Sequence, residues 1–352
     1  MTTYKHRVAE FWSWFQANSN RFLLTIDEGN CDFLTQETTE AVHKLGLGAW
    51  VYGPPPKGAQ GHSLTVSGEG VIHKQFLTEY WLSQAPKIEG WSFHASRQAG
   101  QLNGYINIKD LKIELQAMWI RVHVDNEREK VDISVWHHHF PELEDKDRFT
   151  ITFIVLDEVL GEYGTDNWVG EINFAAQAEK ESMPVAELKE YVDELEKETG
   201  WKKYAPTEVY SNYQIPELEK DFPRSDTFVG TTSNFNLVRD FLEQDGEMTS
   251  PVTGSGADFI YITCSNDFLP KDEEVIFRGE IEDSLHNALE VEASGQVFGG
   301  ASGEVNFYID LAIYDGEKSI EIIKSILNAR NFPSDTTLRY FEKGRDVIPL
   351  NE

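Results

Sequence analysis

The chain has 352 residues, with 31 basic and 60 acidic side chains and a formal net charge of −29. A field of this sign opposes binding to nucleic acid or to anionic membranes, and it favours basic protein partners. Its two cysteines, Cys31 and Cys264, lie far apart and form no CxxC motif, so a disulfide framework is not expected.

The first part of the chain mixes helices and strands without a regular βαβ rhythm. Apolar spacing predicts helices at 3–18, 35–46, 70–84, 148–160 and 184–198, and strands at 48–52, 63–66, 91–96, 115–124, 131–139 and 169–175. The turn residues between the two long strands predict a hairpin. Residues 1–200 are therefore expected to form an α+β domain with an antiparallel-rich sheet.

Residues 201–230 contain three prolines and little apolar periodicity, and we interpret them as a linker or strap. Residues 231–352 then alternate as β-α-β-β-α-β. The strands are expected at 273–279, 295–300, 304–314 and 337–341, the helices at 281–289 and 316–329, and an extra strand at 258–264. This order predicts a second α+β domain with a ferredoxin-like sheet covered by two helices.

Three consecutive histidines, His137 to His139, close the second long strand of the first part. Alternate residues of a strand face the same side, so His137 and His139 are expected to point together. With His123 on the neighbouring strand and Glu158 on the following helix, they provide a candidate Zn²⁺ site for a metal-dependent hydrolase. The alternative is a solvated or partner-facing end of a strand.

The sequence contains no established catalytic motif: GxSxG, Walker A and GxGxxG are all absent. Aromatic residues make up 12% of the chain, and Trp14 in FWSWF is either part of a core or part of a docking surface. Trp14, Trp136 and His138 are therefore candidate contacts for a partner.

Several phrases of the sequence resemble a group of bacterial proteins of unknown function. They are FWSWF near the start, APKIEGWSF at 85–93, LGEYG after the central helix, and GGASGEVNFYIDLAIYD in the second part. The resemblance implies no activity or catalytic residues. In charge and expected fold, the second part is also similar to the bacterial protein inhibitor of ribonuclease E activity.

Three functional hypotheses follow from these observations. The first is a non-catalytic, acidic, cytoplasmic protein that binds a basic protein, as a regulator or an immunity-type inhibitor does. No signal-peptide core and no apolar run of ~18 residues is present, which is why a cytoplasmic location and no membrane partner are expected. The second is the zinc-dependent hydrolase. A ligand-binding module with a cleft between the two domains is a third possibility.

Overall fold

The structure is a computed structural model that describes residues 2–56, 58–218 and 220–350. Helices and strands alternate along these residues, which confirms the predicted α+β class. The α-helices are α1 Tyr4–Asp27, α2 Thr35–His43, α3 Ile72–Ser83, α4 Asp145–Leu160, α5 Glu162–Trp168, α6 Leu188–Thr199, α7 Phe235–Glu243, α8 Glu274–Val291 and α9 Glu317–Ala329.

The strands form several small sheets and one large sheet, and most neighbouring strands are antiparallel. They are β1 Ala49–Gly53, β2 His62–Ser67, β3 Trp91–His94, β4 Tyr105–Ile108, β5 Leu111–Glu114, β6 Trp119–Asp125, β7 Lys130–Trp136, β8 Val169–Phe174, β9 Met183–Pro184, β10 Ser211–Gln214, β11 Thr227–Thr232, β12 Asp258–Ser265, β13 Gly295–Gly303, β14 Asn306–Ile313, β15 Thr337–Tyr340 and β16 Ile348–Pro349.

The chain divides into two compact units, and the first is discontinuous in sequence. Unit 1 contains Met1–Ala95 and Thr207–Glu352, and unit 2 contains Ser96–Pro206. This grouping differs from the predicted division at 1–200, 201–230 and 231–352, because the first 95 residues group with the C-terminal part. Whether the predicted segments fold as separate domains stays a prediction.

Unit 1 is organised by a seven-stranded antiparallel sheet in the order β10-β11-β13-β14-β12-β15-β16. Both faces are covered, which explains why β14 is buried along nearly its whole length. The residues of β14 that were predicted to share a face do so: Phe307, Ile309, Leu311 and Ile313 pack with apolar residues of α8 and α9. Alternation along the strand directs Tyr308 and Asp310 to the opposite face.

That opposite face packs in a core rich in aromatic residues. Its members from the N-terminal segment include Phe11, Trp12 and Phe15 of α1 and Trp81 of α3. Trp12 and Trp81 stack with ring centroids 4.7 Å apart, and the Trp12 Nε1–H donates to the Trp81 carbonyl at 3.0 Å. The indole nitrogen of Trp12 is thereby satisfied inside an apolar core.

Unit 2 has its own hydrophobic core between α4 and a four-stranded sheet in the order β8-β7-β6-β9. The predicted hairpin is confirmed as β6 and β7, with Trp119 opposite Trp136 and His123 opposite Asp132. Val131, Ile133 and Val135 of β7 are buried, as their alternation indicates. No helix of the described residues is long and apolar enough to cross a membrane.

A local prediction in the second part of the chain was wrong. Residues 273–279 were expected to form a strand, but Glu274–Val291 is one helix. The β-prone triplet Val275, Ile276 and Phe277 misled the prediction, whereas Phe277 continues the four-residue spacing of the buried stripe in α8.

The expected linker 201–230 also contains ordered strands: β10 lies within it and β11 begins in it. With the helix assigned in this way, β12, α8, β13, β14, α9 and β15 follow the order β-α-β-β-α-β, in which the supposed extra strand is the first. The ferredoxin-like comparison stays an interpretation of that order.

Candidate functional site

The three histidines lie just after β7, where the chain leaves the sheet. His137 is fully buried, His138 is exposed and His139 is half-buried. Their rings are close, with centroids 4.3 Å apart for His137 and His138 and 4.0 Å apart for His138 and His139. His139 faces Glu142, whose Oε1 is 2.7 Å from its Nδ1.

His137 is held as a neutral imidazole. Its Nδ1 accepts a hydrogen bond from the His139 backbone N–H at 3.2 Å, and its buried Nε2 has no hydrogen-bond partner among the described residues. Burial, together with the neighbouring His138 and His139, lowers the pKa of His137 to about 4. This side chain therefore resists protonation at neutral pH.

The predicted zinc ligands are not brought together. His123 is opposite Asp132 in the hairpin register, and Asp132 lies four residues before the end of β7 at Trp136. At ~3.3 Å per residue, His123 is on the order of 13 Å from the end of the strand that the histidines follow. Glu158 is exposed on α4, beside Gly100. Among the described residues, no group of three or more His, Cys, Asp or Glu is arranged to hold a metal ion.

The predicted partner contacts differ in how accessible they are. Trp14 is half-buried and packs against Phe11 and Phe22, each with ring centroids 5.4 Å away, so its packing belongs to the aromatic core of unit 1. In unit 2, Trp136 is half-buried and His138 is exposed at the end of the sheet. Opposite Trp136 lies Trp119, which is 38% exposed.

Sequence reasoning missed the outer face of α4 as a candidate surface. Ile151, Val155 and Val159 face the core of unit 2, and the far side of the helix is also apolar. We call this far side the α4 ridge; it consists of Phe149, Phe153 and Ile154, which are 38%, 47% and 47% exposed. The signal was present in FTITFIVL, because a helix that is apolar all round is normally covered on all sides.

The α4 ridge is preorganised by contacts within unit 2. Phe149 and Phe153 are nearly parallel, with ring centroids 6.4 Å apart. Phe149 and Phe174 of β8 pack edge-to-face, with ring centroids 4.8 Å apart. Aromatic side chains held in this way lose little conformational freedom when a partner binds.

The second feature missed from sequence is a buried ion pair in unit 1. The Arg224 guanidinium donates to both carboxylate oxygens of Asp310 on β14, and neither side chain is exposed to solvent. Aromatic rings of Tyr261, Tyr308 and Phe341 surround the cation at 5.0 to 5.3 Å. An isolated charge at such a site is very costly, so each member of the pair requires the other.

A third cluster lies where α8 covers β13. Burial raises the pKa of Glu282 to about 7, although the Arg278 guanidinium 3.1 Å away acts in the opposite direction. A Cβ at Gly300 would lie 2.4 Å from Glu282 Oε1, so a larger residue there would displace the Glu282 carboxylate. Arg278 also donates to Ser302 Oγ at 3.0 Å. The cluster joins α8 to the sheet, and its carboxyl can exchange a proton near neutral pH.

Comparisons with protein-family models, with curated proteins and with solved structures found no match to this chain.

Proposed function

We propose that the protein is non-catalytic and acts by binding a basic protein through the α4 ridge. The observation that carries this proposal is the exposure of three large apolar side chains on two successive turns of one helix. Contiguous exposed apolar groups are typical of interaction surfaces. Large aromatic side chains contribute much of the binding energy at such surfaces.

Charge determines the kind of partner that we propose. The net charge of −29 generates a field that accelerates encounters with basic proteins and slows encounters with acidic ones. Glu158 lies one helical turn beyond Ile154. Its carboxylate has neither an ion pair nor a hydrogen bond among the described residues, whereas its backbone carbonyl accepts from the Gly100 N–H at 2.7 Å. Its carboxylate is available to a lysine or arginine of a partner that covers the ridge.

The test uses the wild-type protein as bait at low salt, followed by purification of the captured protein. We expect a basic partner whose affinity, measured by calorimetry, falls as salt is added. Phe153→Ala should weaken binding by about tenfold or more, on the scale of a central aromatic contact. Leu24→Ala, at an apolar residue of α1 that is 63% exposed, is the matched control and should leave the affinity unchanged.

Two results would overturn the proposal. One is a partner whose binding is insensitive to both salt and Phe153→Ala. The other concerns the hydrolase hypothesis: elemental analysis of the untagged, dialysed protein that finds one equivalent of zinc, lost in His137→Ala, would establish the metal site instead. Variants of Trp136 and His138 in the same binding assay test the remaining predicted contacts.

A further inference from the structure

Unit 1 contains an open cavity of about 550 Å³ beside the buried ion pair. Three neighbouring strands contribute to its lining: Tyr308 of β14, Thr263 of β12 and Arg339 of β15. Tyr308 lies opposite Thr263 in the register, and Arg339 lies opposite Tyr261, two residues along β12. The three side chains therefore share one face of the sheet. Residues 221–226 form another wall.

The cavity contains donors that the protein does not use. The guanidinium of the half-buried Arg339 has neither a hydrogen bond nor an ion pair in the part of the chain that the structure describes. Thr263 Oγ1 is closed to solvent and has no hydrogen-bond partner among the same residues. The Nε of Arg224, a residue only 3% exposed, also has no hydrogen-bond partner there. Buried donors without partners are costly, and a bound acceptor would remove that cost.

The charges around the cavity restrict what it can accept. Asp310 neutralises Arg224, which leaves Arg339 as the cation that faces the space. Asp226 accepts hydrogen bonds from the Tyr308 hydroxyl and from the backbone N–H groups of Val305 and Asn306. Its negative charge opposes a dianion such as phosphate. A guanidinium matches a planar, singly charged carboxylate through two parallel hydrogen bonds.

The cavity also presents an acceptor for a cation. Asp221 is exposed at its rim and has no ion pair among the described residues. We infer that this cavity binds a small amphoteric molecule of the amino-acid class, with its carboxylate on Arg339 and Thr263 and its ammonium group toward Asp221. The site lies in unit 1 and is independent of the α4 ridge, so either proposal can fail alone.

The test compares four small probes on the full-length protein by saturation-transfer difference NMR or, for phosphate, by competition. L-alanine carries both charges, propionate lacks the ammonium group, ethylamine lacks the carboxylate, and inorganic phosphate is the dianion. We expect saturable binding of L-alanine, weaker binding of propionate, and no binding of ethylamine or phosphate.

Substitutions then locate the site. Arg339→Met should weaken L-alanine binding by about tenfold or more, the range of hydrogen bonds to charged groups. Arg339→Lys keeps the positive charge but loses the planar guanidinium. Its affinity for L-alanine should lie between those of the wild type and Arg339→Met. Thr263→Val should weaken binding by about two- to tenfold. Arg239→Met removes an exposed, ion-paired arginine of α7 and should have no effect.

Circular dichroism of each variant confirms that the fold is retained. Any of three results would overturn the inference: no saturable binding of L-alanine, an unchanged affinity in folded Arg339→Met, or phosphate competing as strongly as L-alanine.

Discussion

His137 shows how one residue can acquire a role different from the one that its neighbours in sequence indicate. In HHH it was a candidate metal ligand, but its Nδ1 is used by the His139 backbone and its ring is buried. The sequence predicted a strand that runs through His139, but β7 ends at Trp136 and the three histidines lie in the turn that follows. Burial could not be predicted, because it depends on how the chain turns after β7.

A pH dependence of stability follows from this burial. The pKa of His137 falls from 6.5 to about 4 on folding. Between these two pKa values the unfolded chain binds a proton at His137 and the folded chain does not. The free energy of unfolding therefore decreases as pH falls from about 6.5 to about 4. The wild type should lose about 2–3 kcal/mol more across this range than His137→Asn, whose Oδ1 can still accept from His139.

Urea unfolding at several pH values measures this difference. His6→Asn, at an exposed histidine whose side chain is 62% accessible, is the matched control. Parallel pH profiles for the wild type and His137→Asn would contradict the assignment of His137 as a buried neutral base.

At the scale of elements, the Arg224–Asp310 pair fastens the segment before β11 to the centre of the large sheet. Both residues lie in stretches whose sequence indicates little of this. Arg224 was placed in a linker, and Asp310 was one of the polar positions that alternate with apolar ones in β14. Alternation normally directs such a residue to solvent, but here a second layer covers that face.

Removing one member of this pair should be more harmful than removing both. Asp310→Asn leaves the Arg224 charge buried without a counter-ion, which costs about 3–5 kcal/mol of unfolding free energy. The double variant Arg224→Met with Asp310→Leu should be less destabilised than Asp310→Asn, because neither charge is then buried. Chemical denaturation measures the free energy of unfolding of the wild type, of Asp310→Asn and of the double variant.

Lys189→Ala removes an exposed pair with Asp193, in which both side chains are 46% accessible, and should cost at most about 1 kcal/mol. If Asp310→Asn is no more destabilised than this control, the buried pair does not stabilise the attachment of the Arg224 segment to the sheet.

At the scale of the molecule, the two units differ in what they need in order to fold. The core of unit 2 is built from residues of one continuous segment. The aromatic core of unit 1 combines α1 and α3 with β12, β13 and β14, and so requires both ends of the chain.

We expect residues 96–206, expressed alone, to unfold cooperatively on heating. A fragment of residues 1–200 should keep most of the structure of unit 2, although it lacks the core residue Trp201. It should leave its first 95 residues unprotected, since their apolar partners are missing. Hydrogen exchange of both fragments measures this difference. Strong protection of α1 and α3 in the 1–200 fragment would show instead that the predicted N-terminal domain folds independently.

The sequence by itself determined the α+β class, the hairpin of β6 and β7, and the position of a helix with one clear apolar stripe, α9. These features depend on local periodicity and turn chemistry, which are written in neighbouring residues. Tertiary structure alone decided that α1 and α3 pack with the C-terminal sheet, that the outer side of α4 is exposed, and that Arg224 meets Asp310. Each of these depends on residues far apart in the chain, whose proximity no local pattern specifies.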